Sequence, residues 1–389
     1  MRLLVCGDYI VYGDRLPNQL KTLECFKDII NDTDYAIYNQ EFPITRSKDY
    51  YPTKRYGLRA KTDPIMLKPI LLAGFNVATL ANNHIFNYGM SGLRDTIDEL
   101  TNNGISYVGA GSTLDEARRI LYLEKNGIKC AVLNYAEHEY NVASINHGGA
   151  NPIDIISVLR SVSEARKTSD AVIIILHGGI DFSRLPAPRV VHMCRYFAEQ
   201  GASAIFIHHS HVVSGFELHN GVPIFYGLGN LVPGKIVTFD CLYSYSVMLE
   251  IEPESKSVFF TGYHAKWDQD ESRVVLLTGD ELLIAEQEQQ RLNRIIGSED
   301  QNAIAEALHM EFLTRERESS YFTALTRSSQ LMFRIAKKAR MINAYHRFIV
   351  RRMRLNRRNS TLWNMLRCET HRDVFDLIYN KHIDTYKNQ

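Results

Sequence analysis

The chain has 389 residues, enough for one large domain with an appendage or for two domains. Hydrophobic residues make up 45% and charged residues 23%, as in ordinary soluble globular proteins. The net charge is only +1, so nothing global points to nucleic acid or membrane. Six cysteines are scattered without a CxxC pair. Cys6, Cys130 and Cys194 lie in apolar runs, which predicts reduced, buried thiols. Met1-Arg2 leads straight into a strand, and no apolar stretch approaches the ~20 residues that span a bilayer. A cytoplasmic protein is expected.

The first 235 residues alternate strand and helix. The apolar run Leu3–Cys6 predicts a strand that ends on Gly7-Asp8. The glycine is expected to let the backbone turn tightly and the aspartate to ligate a metal; alternatively the pair only shapes a turn. A second strand, Tyr35–Tyr38, ends on Asn39-Gln40-Glu41-Phe42-Pro43. Glu41 there can bridge two metals at the ~3.5–4 Å spacing of two-metal sites, or simply cap a loop before proline.

Val77–Leu80 runs into Asn82-Asn83-His84. Burying these groups unpaired costs roughly 1–3 kcal/mol each, so partners are expected. In a metal site Asn83 ligates through its carbonyl oxygen and His84 faces the substrate as general acid. The alternative is an Asn-rich helix N-cap. A helix over 91–103 follows, stopped by Gly104. A helical turn at 115–120, a strand over Cys130–Tyr135 and an amphipathic helix over Ile153–Lys167 come next.

Ala171–Leu176, the most apolar strand, ends on His177-Gly178-Gly179, whose glycines admit a close ligand. Asp181 is placed to orient a neighbouring group. A lone histidine here also suits a satisfied core position. Pro188 opens a helix ending near Gln200, closed by Gly201. The strand Ala204–Ile207 then delivers His208-His209-Ser210-His211. On an extended segment His209 and His211 share a face, while His208 points away as a structural residue.

After 235 the strands Cys241–Ile251, Ser257–Gly262 and Arg273–Thr278 read as antiparallel, either completing a sandwich or forming a dimer edge. From Glu281 the chain is helical and polar. The division expected is a domain over 1–280 and a helical extension over 281–389. Residues 334–358 carry ten Lys/Arg and no Asp/Glu. They form a solvated helix face, or a docking surface for an anionic polymer or anionic membrane. The segment's basic residues are interleaved with few aromatic ones, which makes single-stranded nucleic acid the weaker reading.

A parallel sheet gathers ligands at the carboxyl ends of its strands, so these clusters are expected to meet in one crevice. Their carboxylate, amide and imidazole donors suit one or two divalent ions of Mn, Fe or Zn rather than Ca. No phosphate-binding glycine loop and no nucleophile elbow is present.

Taken in order, Gly7-Asp8, Asn39-x-Glu41-x-Pro43, Asn82-Asn83-His84, Tyr88-Gly89, Gly92-Leu93, His177-Gly178-Gly179, His209-Ser210-His211-Val212-Val213 and Ile224 to Asn230 resemble the CapA/PgsA capsule-synthesis family. The resemblance covers about residues 1–235. It implies a calcineurin-like metallophosphoesterase fold, an α/β sandwich of two mixed sheets flanked by helices, here with a C-terminal helical extension. It places metal ligands at Asp8, Glu41, Asn83, His177, His209 and His211, and the catalytic imidazole at His84. The chain departs from the family's pattern in three places. Asn87 stands where the family has an acid, Asp181 where it has a glutamate near the later histidine, and Leu231 where an aromatic follows Gly-Asn.

The activity expected is metal-dependent hydrolysis of a phosphoester or amide bond in capsule or envelope polymer synthesis, poly-γ-glutamate in the best-known members. Its partners are then an anionic polymer or phosphoester substrate and envelope assembly proteins, with peripheral membrane contact through 334–358. The alternative is a non-catalytic polymer-binding or assembly protein.

Overall fold

The structure, a computed structural model, describes residues 1–314 apart from 15, 17–19, 51–59, 235–237 and 299, together with 368–370 and 372–373. The basic segment 334–358 lies outside the described residues.

Every apolar run expected to be a strand in the first 235 residues becomes one, often one or two residues longer than its apolar part. In chain order these are β1 (Arg2–Tyr9), β2 (Tyr35–Gln40), β3 (Val77–Thr79), β4 (Ser106–Val108) and the short β5 (Ala110–Gly111). Next come β6 (Leu121–Lys125), β7 (Ile128–Ala136), the short β8 (Gly149–Ala150), β9 (Ala171–His177) and β10 (Ala204–His208). The last six are β11 (Phe216–His219), β12 (Val222–Phe225), β13 (Asn230–Val232), β14 (Tyr243–Ile251), β15 (Val258–Asp268) and β16 (Arg273–Leu276).

Two mixed sheets result. The first runs β16-β15-β14-β1-β2-β3-β4, with β13 also paired to β1. Its β1, β2, β3 and β4 are parallel, and β14–β16 add antiparallel strands on the far side of β1. The late strands therefore complete the sandwich. The second sheet runs β11-β12-β10-β9-β7-β6, parallel from β12 through β10 and β9 to β7.

Strand periodicity explains the continuous apolar runs. Leu3 and Val5 of β1 pack with Ile173 and Ile175 of β9 and Phe206 of β10 between the sheets. Leu4 and Cys6 face outward, against Phe26, Ile70 and Leu93. Val172, Ile174 and Leu176 likewise face Val162, Val191 and Phe197 on the other outer face. Strands buried on both faces have no polar side to alternate with. Each such Val, Leu or Ile contributes about 1.5–3 kcal/mol by burial.

The helices follow their caps. Gly89–Asn102 ends before Gly104, whose φ of +72° is left-handed. The helix expected from Ile153 starts at Ile155, because the Asp154 side chain accepts from Ser157 N at 2.8 Å as an N-cap. The turn expected over 115–120 shortens to Leu114–Ala117. Pro188–Glu199 opens on proline and is followed by Gly201 at φ +108°. Gly279–Ile296 and Gln301–Thr314 carry the helical character seen after Glu281. All six cysteines are free, and all but Cys25 are buried. Among the described residues no helix is long and apolar enough to cross a membrane.

Candidate metal centre

The carboxyl ends of β1, β2, β9 and β10 converge where the two sheets meet. The parallel register sets Asp8 beside Asn39, and His208 beside His177. One ligand atom each from Asp8, Glu41 and His177 lies within 4.8 Å of the others. All three are buried, at 0%, 1% and 1% exposure.

Amides hold the carboxylates. Asn39 Nδ2 donates to Asp8 Oδ1 and to Glu41 Oε2, both at 2.7 Å, so its two hydrogens fix the carboxylates relative to each other. Asp8 Oδ2 accepts from the His209 backbone N at 3.2 Å and lies 3.3 Å from His211 Nδ1. Asn230 orients that ring. Its Nδ2 donates to the carbonyls of His211 and Cys241, leaving Oδ1 to accept from His211 Nδ1 at 3.1 Å. Both neighbours of Nδ1 are acceptors, so the proton sits there and Nε2 is the ligating atom of His211.

His177 Nε2 lies 3.6 Å from Glu41 Oε1 and 3.1 Å from His209 Nδ1. His209 Nε2 is 3.2 Å from Asp181, which thus orients the ring as expected of it. With Nε2–H donated outward, Nδ1 turns its lone pair toward His177. His208 is buried, as expected of a structural residue, yet its Nδ1 stands only 3.9 Å from Asp8.

The backbone around these histidines differs from the expectation. β10 ends at His208, and His209 and His211 have φ of +97° and +60°. They share a face because the chain turns through left-handed conformations there, not because an extended strand alternates. Such residues cost about 1–3 kcal/mol each and cluster at functional sites.

The glycines also work differently. Gly7 makes no tight turn; it lies inside β1, where a Cβ would stand 2.0 Å from the Gly229 carbonyl oxygen. Gly178 leaves room for the Glu137 side chain rather than for a ligand, since a Cβ would meet Glu137 Cγ at 2.5 Å.

The amide–imidazole segment joins the group from β3. Asn82 caps a turn rather than a helix: its Oδ1 accepts from His84 N and Ile85 N at 2.9 and 2.8 Å, and the helix begins only at Gly89. The Asn83 Nδ2 donates to Glu139, and the Asn83 backbone carbonyl accepts from Asn141 Nδ2 at 2.6 Å. His84 packs edge-on to Phe42 with its Nε2 3.9 Å from Glu41 Oε1. Asn87 Nδ2 donates to the Ala60 carbonyl at 3.2 Å and lies 3.1 Å from His84 Nδ1. A carbonyl only accepts, so the amide nitrogen faces Nδ1, which must then be the acceptor. His84 therefore carries its proton on Nε2.

Electrostatics divides the histidines. Burial, reinforced by His209, pushes His177 well below the ordinary imidazole value, so it stays neutral with a lone pair to give. Burial also opposes charge on His211, but the Asp8 carboxylate overcomes it and lifts the pKa to about 10. Burial would raise the Asp8 pKa, yet the hydrogen bond with His211 holds it well below the usual carboxylate range. Two buried carboxylates thus face one imidazolium. Uncompensated buried charge is costly, so this donor set fits a divalent cation.

Asn39 and Asn230 stood in the motifs of the resemblance but with no role assigned to them, and Glu137 and Glu139 sit in a loop after β7 with no motif around them. Their partners across the crevice identify what they do.

Residues 2–235 match the sequence model of the family described as bacterial capsule synthesis protein PGA_cap. The chain is 33% identical over 207 residues to the PGA biosynthesis protein CapA of Bacillus subtilis (strain 168), covering 52% of this chain and 54% of that protein. It is 31% identical over 212 residues to the capsule biosynthesis protein CapA of Bacillus anthracis, covering 52% and 51%. The chain spans about half the length of these curated relatives. A 5'-nucleotidase from Candida albicans SC5314 aligns with 80% of this chain and 58% of its own at 11% identity, with a TM-score of 0.39, too low to bear on function. The match over residues 2–235 covers the strands that build the crevice and more than half of the sequence, and the chain belongs to the PGA_cap family of bacterial capsule synthesis proteins.

Proposed function

We propose that this crevice binds one or two divalent cations (Mn, Fe or Zn) through Asp8, Glu41, Asn83, His177, His209 and His211. In this reading it hydrolyses a phosphoester or amide bond in an anionic capsule or envelope polymer. The buried Asp8–Glu41–His177 group carries the reading. A bound divalent cation would lower the pKa of water to near neutrality and stabilise the charge that develops on the substrate.

The chain's own residues supply the rest. Asn39 keeps the two carboxylates at a set separation, and Asp181 and Asn230 orient His209 and His211. His84 presents its Nε2–H beside Glu41. Acting as a general acid would need a second proton on Nδ1, against the Asn87 amide. His84 therefore serves as a hydrogen-bond donor to the leaving atom. His84→Ala is expected to lower turnover about 100–1000-fold with metal retained, in the range of a lost catalytic hydrogen-bond donor. Asn87→Asp, which offers Nδ1 an acceptor, is expected to add a rate contribution at low pH that is lost as pH rises through the His84 pKa. An unchanged profile in Asn87→Asp would remove the argument from Asn87.

Metal binding should depend on pH through His211. Its folded pKa, about 10, lies above the unfolded value. In the metal-free protein the Asp8–His211 pair therefore stabilises the fold fully between about pH 4 and 6.5, and this is lost as pH rises through about 10. A cation at Nε2 must displace that proton, so apparent affinity should climb about tenfold per pH unit from about pH 7 to 9. Calorimetric titration with Mn at several pH values checks this; a flat dependence places His211 outside the ligand set.

The deciding experiment is metal content after purification without added metal or chelator, beside a His209→Ala/His211→Ala variant. Assays with bis(p-nitrophenyl) phosphate and γ-glutamyl-p-nitroanilide follow. Stoichiometric metal lost in the variant, with turnover of either substrate, supports the hydrolase. The same metal with no turnover favours a polymer-binding or assembly protein, the reading the Asn87–His84 geometry allows. No metal, even after incubation with Mn and Zn, discards the proposal.

A further inference from the structure

A short segment near the end of the chain returns to the crevice from outside the family match. Cys368 and Thr370 are buried there. Glu369 accepts from the His138 backbone N at 3.0 Å, and its other oxygen lies 2.8 Å from His138 Nδ1. Thr370 Oγ1 donates to Glu137 Oε2 and accepts from Gly179 N at 3.2 Å. Arg189 closes the arrangement. Its Nε is 3.0 Å from both Asp373 oxygens, and its Nη2 reaches Asp373 Oδ2 at 2.8 Å and Glu137 Oε1 at 2.6 Å.

The contacts of Glu369, Thr370 and Asp373 join sequence positions 184 to 233 residues apart, and they fall on the two loops that leave β7 and β9 and on the first turn of the helix Pro188–Glu199. The first loop matters to the crevice. Glu137 N donates to the His177 carbonyl at 3.0 Å, and Glu139 accepts from the Asn83 amide. Within the loop Tyr140 has a φ of +31°, a conformation that needs holding from outside. Burial would weaken the charge on Glu369, but the His138 hydrogen bonds hold its pKa down at about 2, so Glu369 accepts as a carboxylate across the neutral range.

We propose that Glu369, Thr370 and Asp373 form a positioning strap: they clamp Glu137, His138 and Arg189 and thereby hold Glu139 and the Asn83 amide in place. For its consequence on metal affinity the proposal rests on the reading of Asn83 as a ligand; the positioning of the Asn83 side chain does not. The strap makes the part of the chain beyond the family match a working component of the crevice.

The test uses the full chain, metal-free and isotope-labelled, with Thr370→Val/Asp373→Asn against wild type. The Asn83 side-chain amide is assigned by its disappearance in Asn83→Ser. The double variant is expected to speed amide exchange at 137–141 at least about tenfold and to move the Asn83 NH2 resonances toward solvent-exposed values. Mn affinity should fall about tenfold, at the lower end for groups that orient ligands. Thr370→Ser, which keeps the hydroxyl, should behave as wild type, separating the strap from general unfolding. Unchanged exchange and unchanged Asn83 resonances overturn the strap. A looser loop with an undisturbed Asn83 amide overturns its positioning role, whereas a displaced amide with full Mn affinity upholds the strap and removes Asn83 from the ligand set. Absence of Mn binding in the wild type would remove the metal reading, and the Asn83 amide would still decide the strap.

Discussion

Replacing Asp8 with asparagine is expected to lower affinity for Mn or Zn at least about 100-fold, beyond what loss of a ligand-orienting group costs. The volume is unchanged, so the effect is electrical and directional. Asp8 is surrounded by donors: Asn39 Nδ2 at 2.7 Å, His209 N at 3.2 Å and His211 Nδ1 at 3.3 Å. An amide nitrogen placed among them must face at least one N–H. That leaves buried donors opposed, at about 1–3 kcal/mol each. The same change removes the carboxylate that keeps His211 charged, so the pKa of about 10 should drop, and the pH dependence of any residual binding with it. Titration of both proteins with Mn across pH checks the pair of effects. Asp28→Asn, on the exposed surface of a short helix, serves as the neutral control. Wild-type affinity in Asp8→Asn would move the metal away from β1 altogether.

Gly7→Ala is expected to destabilise the fold by about 3 kcal/mol and to impair metal binding together with it. Overpacking a core usually costs about 1–3 kcal/mol, and here the new methyl meets backbone rather than a movable side chain. The Cβ would lie 2.0 Å from the Gly229 carbonyl oxygen, the acceptor for Asp8 N at 3.1 Å. Relief therefore requires β1 and the 228–230 segment to part, carrying Asp8 away from His211 and Asn230. Urea unfolding gives the stability change and calorimetry the metal affinity. A midpoint within about 0.5 kcal/mol of wild type would show that this close approach relaxes without consequence, as surface substitutions do.

Asp8, Glu41, His177, His209 and His211 were legible in the sequence because each follows an apolar strand, and strand ends are where a parallel α/β fold leaves its ligands. The resemblance to capsule-synthesis proteins placed the same residues by order and motif, and the family match agrees with it. His84 was legible as a residue, but its protonation was not. That depends on which end of the Asn87 amide faces the ring, and the Ala60 carbonyl decides it from a different segment. His209 and His211 were expected together for a reason the backbone does not follow, since the strand stops at His208 and left-handed turns take over.

What the sequence determined by itself is the local part: which runs are apolar on both faces and so buried in a sandwich, and which polar residues stand at their ends. Alternation and capping act over a few residues and can be read from them. Tertiary structure alone decided the rest. Asn39 links Asp8 to Glu41, Glu139 holds Asn83, Asn230 fixes the ring of His211, and Glu369, Thr370 and Asp373 arrive from the far end of the chain. Each is an ordinary polar residue until folding removes water from around it and leaves a single partner of matching charge and geometry within reach.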